Sequence, residues 1–306
     1  MRIFVDFRTG ADRTAAALAP GLEKIAISAP RAVIALGSGR GGTGKSVLAV
    51  NLAAALALGG RKVGLLDADL NAPSIPALLG IRPFRMIPMV GGIEPTGGPL
   101  GLRVMAANLM PDRDEPPPFS FVEEAAAAAP AEPSGPVEHD YSETLAILAG
   151  QTRFGPVDLV LIDLAPGLEH LYRAARMIEL NGVLLVSHPS ALSARASRAG
   201  AELMGRGLAP VSGVVENMVG FNCSNCHAVR PLFPVSEPAG GTAELPVLAR
   251  LPFDARLAEC AGRGTLFVKE YAETPLARQI TELARQIEQM VPAAPARELL
   301  AAASRS

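Results

Sequence analysis

The 306-residue chain lacks three things whose presence would have narrowed its class at once: a surplus of charge of one sign, a long apolar run, and cysteines in number. Lys and Arg together number 28 against 30 Asp and Glu, a formal net charge of −2. Without a basic excess there is little to neutralise a phosphate backbone, which argues against a dedicated nucleic-acid binder. Hydrophobic residues make up 49% of the chain, yet no stretch approaches the roughly 20 apolar residues a membrane helix needs. The first thirty residues carry Asp6, Asp12 and Glu23 among their apolar positions, unlike a secretory signal with its basic start and uninterrupted apolar segment. Three cysteines, two of them in one Cys-x-x-Cys, cannot build a disulfide framework and suit a reducing compartment. The expectation is a cytoplasmic protein without a membrane or nucleic-acid partner.

What is present is an alternation of short apolar runs with longer helical patterns. Ala32–Leu36, Lys62–Leu66, Leu102–Ala106, Val157–Ile162, Gly182–Ser187, Val211–Val215 and Val247–Leu251 are rich in Val, Ile or Leu without polar alternation, as strands covered on both faces are. Helical patterns span Lys45–Leu58, Tyr141–Ala149, Ala191–Met204 and Thr274–Met290, the first three closed by Gly59-Gly60, Gly150 and Gly205. Asp140 with Glu143 reads as a capping box for the second. Strand and helix in turn predict an α/β fold: a mostly parallel, doubly wound sheet with helices on both faces. Ligands of such sheets bind at the carboxyl ends of the strands. Pro116-Pro117-Pro118, the alanine run 125–129, Pro130, Pro133 and Pro136 mark 111–136 as an insertion. The expected layout is an N-terminal extension over 1–30, one domain over 31–291 and a frayed tail over 292–306.

Gly39-Arg40-Gly41-Gly42-Thr43-Gly44-Lys45-Ser46, followed by Val47, lies between an expected strand and an expected helix. Glycines there let consecutive backbone N–H groups turn inward around phosphates, and the helix N-terminus adds its positive end. Lys45 would reach the β- and γ-phosphates of a nucleotide, and the Ser46 hydroxyl would coordinate Mg²⁺. ATP with Mg²⁺ is the expected ligand. Two other strands end in acid: Asp67-Ala68-Asp69 with Pro73-Ser74-Ile75-Pro76 beyond, and Asp163-Leu164-Ala165-Pro166-Gly167. A lone Asp at a strand end is as often a cap or turn residue, but two of them beside a phosphate loop match the oxygen ligands Mg²⁺ requires.

Further on stands Glu216-Asn217-Met218, then Phe221, Cys223 and Cys226, with His227 following. A Cys-x-x-Cys alone is compatible with zinc, redox or iron–sulfur chemistry. Four thiolates need a second pair, and the remaining cysteine is the isolated Cys260, read as a buried small hydrophobe. In a symmetric homodimer the same loop from each subunit would supply four. His139, His170 and His188 belong to no motif.

The phosphate loop resembles the deviant Walker A of the MinD/ParA/Mrp group, and the other motifs resemble its Mrp/ApbC branch of iron–sulfur carrier P-loop ATPases. That resemblance implies a homodimer in which the residue at position 40, a lysine in the family and Arg40 here, reaches the partner's nucleotide. It implies that Asp69 positions the attacking water and that Asp163 holds Mg²⁺ through its waters. Asp67 would support the first switch and join the Mg²⁺ site, and Asn217 would read the adenine ring. Cys223 and Cys226 would bridge a [4Fe–4S] cluster between subunits, taken from cluster donors and passed to apo-protein clients. The family continues its second switch Gly-Thr-Gly-Asp where this chain has Gly167-Leu168-Glu169-His170, so slow hydrolysis is expected. Two other readings stand beside this one: a MinD/ParA-like regulatory switch without a cluster, and a non-hydrolysing nucleotide-binding scaffold with a zinc site.

Overall fold

The computed structural model describes residues 24–27, 30–82, 88–89, 92–107, 109, 138–222, 229–233 and 245–291. The 111–136 insertion, the 292–306 tail, Cys223, Cys226 and His227 fall outside the described residues. The sheet is built from β1 (Ala32–Gly37), β2 (Val63–Ala68), β5 (Thr96–Gly97), β6 (Arg103–Ala106), β7 (Leu159–Leu164), β8 (Gly182–Ser187), β9 (Val211–Asn222), β10 (Val229–Arg230) and β11 (Val247–Phe253). β3 (Pro88–Met89) and β4 (Gly92–Ile93) form a separate two-stranded ribbon. The order is β10-β9-β8-β1-β7-β2-β6-β5, with β11 also on β9. β5 and β10 run antiparallel to their neighbours, and the other pairs are parallel. The fold class expected from the sequence is the one observed.

Helices cover both faces. Along β1, Ala32, Ile34 and Leu36 enter one core, with α1 (Lys45–Leu58) and α8 (Pro275–Met290). Val33 and Ala35 enter the other, with α3 (Glu138–Gln151), α4 (Leu168–Met177) and α5 (Ala191–Met204). Alternate residues of one strand thus feed opposite layers, which is why the strand has no polar face. Three short helices complete the chain: α2 (Ile75–Leu78), α6 (Ala255–Arg263) and α7 (Phe267–Glu270). Cys260 on α6 is buried, in line with its reading as a core residue.

Several boundaries differ from expectation, each for a physical reason. Ile25 bridges to Ile178 and Ile27 is buried, so residues 24–27, expected in the extension, pack on the domain. α3 starts at Glu138 and runs through Gly150; Asp140 is therefore inside the helix and not its cap. α4 has no counterpart among the expected helices; it turns Leu171, Ala174 and Ala175 into the core at helical spacing. β9 does not stop at Val215, because the polar Glu216 that breaks its apolar run is paired across the sheet with Arg250 at 2.7 Å. Glu216, Asn217 and Met218 are therefore strand residues.

Candidate nucleotide site

The loops after β1, β2 and β7 meet because those strands are neighbours: Leu36 lies opposite Asp163, and Asp163 opposite Asp67. The phosphate loop leaves β1 and enters α1, with Gly42 and Gly44 at φ of 78° and 77°, the left-handed region that glycine occupies without Cβ strain. A side chain at Gly44 would also meet Asn217 Nδ2 at 2.5 Å. Arg40, Gly41 and Gly42 are exposed, Gly39, Gly44, Ser46 and Val47 half-buried, and Thr43 and Lys45 buried.

Lys45 Nζ donates to Asp163 Oδ1 at 2.5 Å, with the two side chains 6% and 0% exposed. Burial pushes the Asp163 carboxyl upward, opposed by the Lys45 charge and by hydrogen bonds from Lys45 and Ser46. Its other oxygen, Oδ2, is buried and has no partner among the described residues. A hydroxyl and a buried, half-satisfied carboxylate in contact form an all-oxygen donor set of the kind Mg²⁺ takes. Ser46 and Asp163 thus fit the metal.

Asp67 is occupied differently. Its Oδ1 accepts the Asp69 N–H at 3.1 Å, and its Oδ2 accepts those of Ser74 and Ile75 at 2.8 and 2.9 Å. Both oxygens accept backbone N–H groups, so Asp67 ties the segment beyond β2 back onto the strand end. Burial, and then the Asp163 charge, push its pKa up to about 7 despite those three amides. Asp69, one turn further out, is half-buried, and its Oδ1 accepts the Ala72 N–H at 3.3 Å.

Two further residues steady the site, and the first of them belongs to no motif. Tyr141 of α3 donates its hydroxyl to the Ala68 carbonyl at 3.1 Å, steadying the strand end before Asp69. Burial, then the Asp69 charge, raise its pKa. The signal available was its rarity, one of three tyrosines in the chain. Gly167, at φ 118°, donates its N–H to the Ser38 carbonyl at 2.8 Å and so ties the second switch to the end of β1.

Asn217, expected at the adenine, is 7% exposed, and its Nδ2 donates to the Thr43 carbonyl at 2.8 Å. It therefore holds the phosphate loop directly. Met218 beside it has φ 58°, a conformation uncommon for a non-glycine residue. The next residue after β9 is Cys223; Cys223 and Cys226 lie on the 223–228 connection between Asn222 and Val229, which pair.

Comparisons with known proteins bear on the family and the fold. The family model described as ParA, NUBPL iron-transfer P-loop NTPase, matches residues 29–120 and 130–288. The iron-sulfur cluster carrier protein of Saccharolobus solfataricus is 29% identical over 258 residues, covering 83% of this chain and 82% of that one. That of Methanocaldococcus jannaschii is 32% identical over 235 residues, covering 74% of each. A nucleotide-binding protein from Archaeoglobus fulgidus, solved in complex with ADP, is 27% identical with a TM-score of 0.61, over 81% of this chain and 90% of that one. MinD of Pyrococcus horikoshii, at 20% identity and a TM-score of 0.57 over 85% and 96% of the two chains, shares the fold.

Proposed function

The chain belongs to the NUBPL iron-transfer P-loop NTPase family, and from that membership we propose that it is an ATP-dependent iron–sulfur carrier. In this reading a homodimer holds a [4Fe–4S] cluster on Cys223 and Cys226 of both subunits and passes it to apo-proteins in a reducing, cytoplasmic setting. The observation that carries the reading is β9 itself. One continuous strand clasps the phosphate loop through Asn217 and ends at the residue before Cys223.

The chemistry follows from the residues in place. Lys45, paired with Asp163, exchanges that carboxylate for the β- and γ-phosphates when ATP enters. Ser46 and Asp163 would hold Mg²⁺, which would supply positive charge to offset the phosphates. Asp69, on the loop braced by Asp67, orients the attacking water. Arg40 is exposed and offers a guanidinium to the phosphate of the facing subunit, which it can hold with two hydrogen bonds. Asn217 keeps its Oδ1 for the adenine amino group while its Nδ2 serves Thr43. Turnover is slow, because α4 begins immediately after Gly167 and leaves no glycine loop in the second switch.

Anaerobic reconstitution with iron and sulfide tests the reading. About four irons per dimer, with visible absorbance lost in a Cys223→Ser/Cys226→Ser variant, is the expected result. A folded, ATP-binding dimer that takes up zinc but no iron would replace the carrier with a zinc-bearing scaffold.

A further inference from the structure

Successive side chains of a β-strand point to opposite faces of its sheet. On β9, Val214 enters the core covered by α3, α4 and α5, and Val215 enters the core covered by α1. A regular strand would carry Asn217 to the α1 face and Met218 away from it again. Asn217 follows that rule and reaches Thr43, just before α1. Met218 does not. A Cβ placed on Gly44 would lie 2.5 Å from Asn217 Nδ2 and 3.3 Å from Met218 Cε. Two consecutive side chains thus converge on the last glycine of the phosphate loop, the residue that caps α1.

The backbone shows how. Met218 has φ 58°, a left-handed conformation that a residue bearing a Cβ adopts at a cost and keeps where its surroundings offset that cost. It opens a bulge. Leu251 of β11 pairs with Asn217 and Phe253 pairs with Phe221, so β11 advances two residues while β9 advances four. On its other side β9 pairs with β8 as far as Glu216, opposite Ser187, where β8 ends. The bulge therefore lies beyond that ladder and does not disturb it. Bulges re-aim side chains, and they gather beside functional sites for that reason. Here the side chain re-aimed is an unbranched thioether, flexible enough to fill the space against a glycine.

We propose that Met218 is a positioning residue for nucleotide binding: its left-handed turn brings the thioether methyl beside Gly44, where with Asn217 it walls the phosphate loop into the form that accepts phosphate. The two neighbours act in different ways. Asn217 fixes the loop by a hydrogen bond to the Thr43 carbonyl. Met218 occupies the space into which Gly44, at φ 77° and free of a side chain, would otherwise relax. A loop held so before nucleotide arrives loses little freedom on binding, and affinity gains by that amount. The proposal rests on the proposed function only in taking the phosphate loop as the nucleotide site.

Two variants of the full-length protein separate side chain from backbone. Met218→Gly frees the left-handed turn of its strain and removes the thioether; Met218→Leu keeps apolar bulk of similar volume. In isothermal titration with Mg-ADP, Met218→Gly binds about fivefold more weakly, as a loop competent about a fifth as often as the parent's would. It melts no lower than the parent, and Met218→Leu keeps the parental affinity. Spectroscopy reads the contact directly. In protein carrying methyl-labelled methionine, the signal missing from Met218→Leu moves on saturation with Mg-ADP, while that of Met290, exposed on α8, stays. Parental affinity in Met218→Gly, equally weak binding by Met218→Leu, a melting temperature that falls with the affinity, or a Met218 methyl unmoved by nucleotide would each overturn the proposal. A parent that binds no Mg-ADP would overturn it together with the nucleotide site. The carrier reading fails separately, by absence of iron on reconstitution.

Discussion

The acidic segments after β2 and β7 leave neighbouring strands of one sheet beside the same phosphate loop, yet they are held in different ways. After β2, a buried carboxylate gathers three backbone amides: Asp67 accepts from Asp69, Ser74 and Ile75 and fixes a loop on which Asp69 remains half-buried. After β7, the acid is on the strand itself. Asp163 is committed to Lys45 and Ser46, and the segment beyond it turns at Gly167 straight into α4. The first segment is a loop braced from within. The second is a strand end joined to a helix, with little loop to move. Two carboxylates on adjacent strands are thus engaged differently: Asp67 by three backbone amides, Asp163 by a lysine and a serine with Oδ2 left without a partner among the described residues.

Lys45→Ala breaks the arrangement most severely. Nucleotide affinity should fall by about 100-fold or more, the loss of charge-assisted bonds to phosphate. Asp163 would also keep a buried carboxylate without its cation, at a cost of about 3–5 kcal/mol. Isothermal titration with Mg-ADP and denaturant unfolding measure the two. Unchanged affinity would remove Lys45 from the site. Next comes Asp69→Ala, which should bind nucleotide normally but lose turnover by about 100-fold, an ordinary contribution for a water-positioning base. A variant that hydrolyses at the parental rate would move that role to another residue.

Asp67→Ala should cost less, about 2 kcal/mol, since three amides lose their acceptor while an unfavourably buried carboxyl is removed. Its signature is the pH dependence. The folded pKa of about 7 lies above the ordinary 3.8, so between those values the folded state binds more protons than the unfolded one. Stability from this group is complete below about pH 4, declines as pH rises to about 7, and is flat above. Unfolding curves from pH 4 to 8 should show a shallower decline in the variant than in the parent, the remainder coming from the likewise raised Asp163. A parallel decline in both would assign it to another group.

Much of this was legible in the sequence because it depends on local order. A glycine-rich turn between a strand and a helix, and acids after apolar runs, are set by neighbours along the chain, and strand adjacency then brings Asp67, Asp163 and Lys45 together. What was not legible depends on residues distant in sequence. Glu216 ends an apolar run on paper and continues a strand in space because Arg250 meets it. Tyr141 matters through the Ala68 carbonyl, a contact across 73 positions. Asn217 was expected at the base and is engaged first with Thr43, 174 positions away.

The smallest effect is expected where this chain departs from its family, in the second switch. Glu169 stands in the first turn of α4, and a Cβ on Gly167 would meet its Oε1 at 2.3 Å. A carboxylate there favours the helix start by about 0.5 kcal/mol, and replacing it by glycine adds about 1 kcal/mol of helix-propensity cost. Glu169→Gly should therefore fray 168–171 without touching Asp163 or Lys45. Backbone exchange in that segment should rise, nucleotide affinity should hold, and turnover should increase a few-fold if a stiff second switch is what limits it. Faster exchange with unchanged turnover would show that the helix start is not the brake. The slow step would then lie with Arg40, whose longer, planar guanidinium stands where the resembled family has a lysine. Arg40→Lys, assayed for turnover in the same background, separates the two causes.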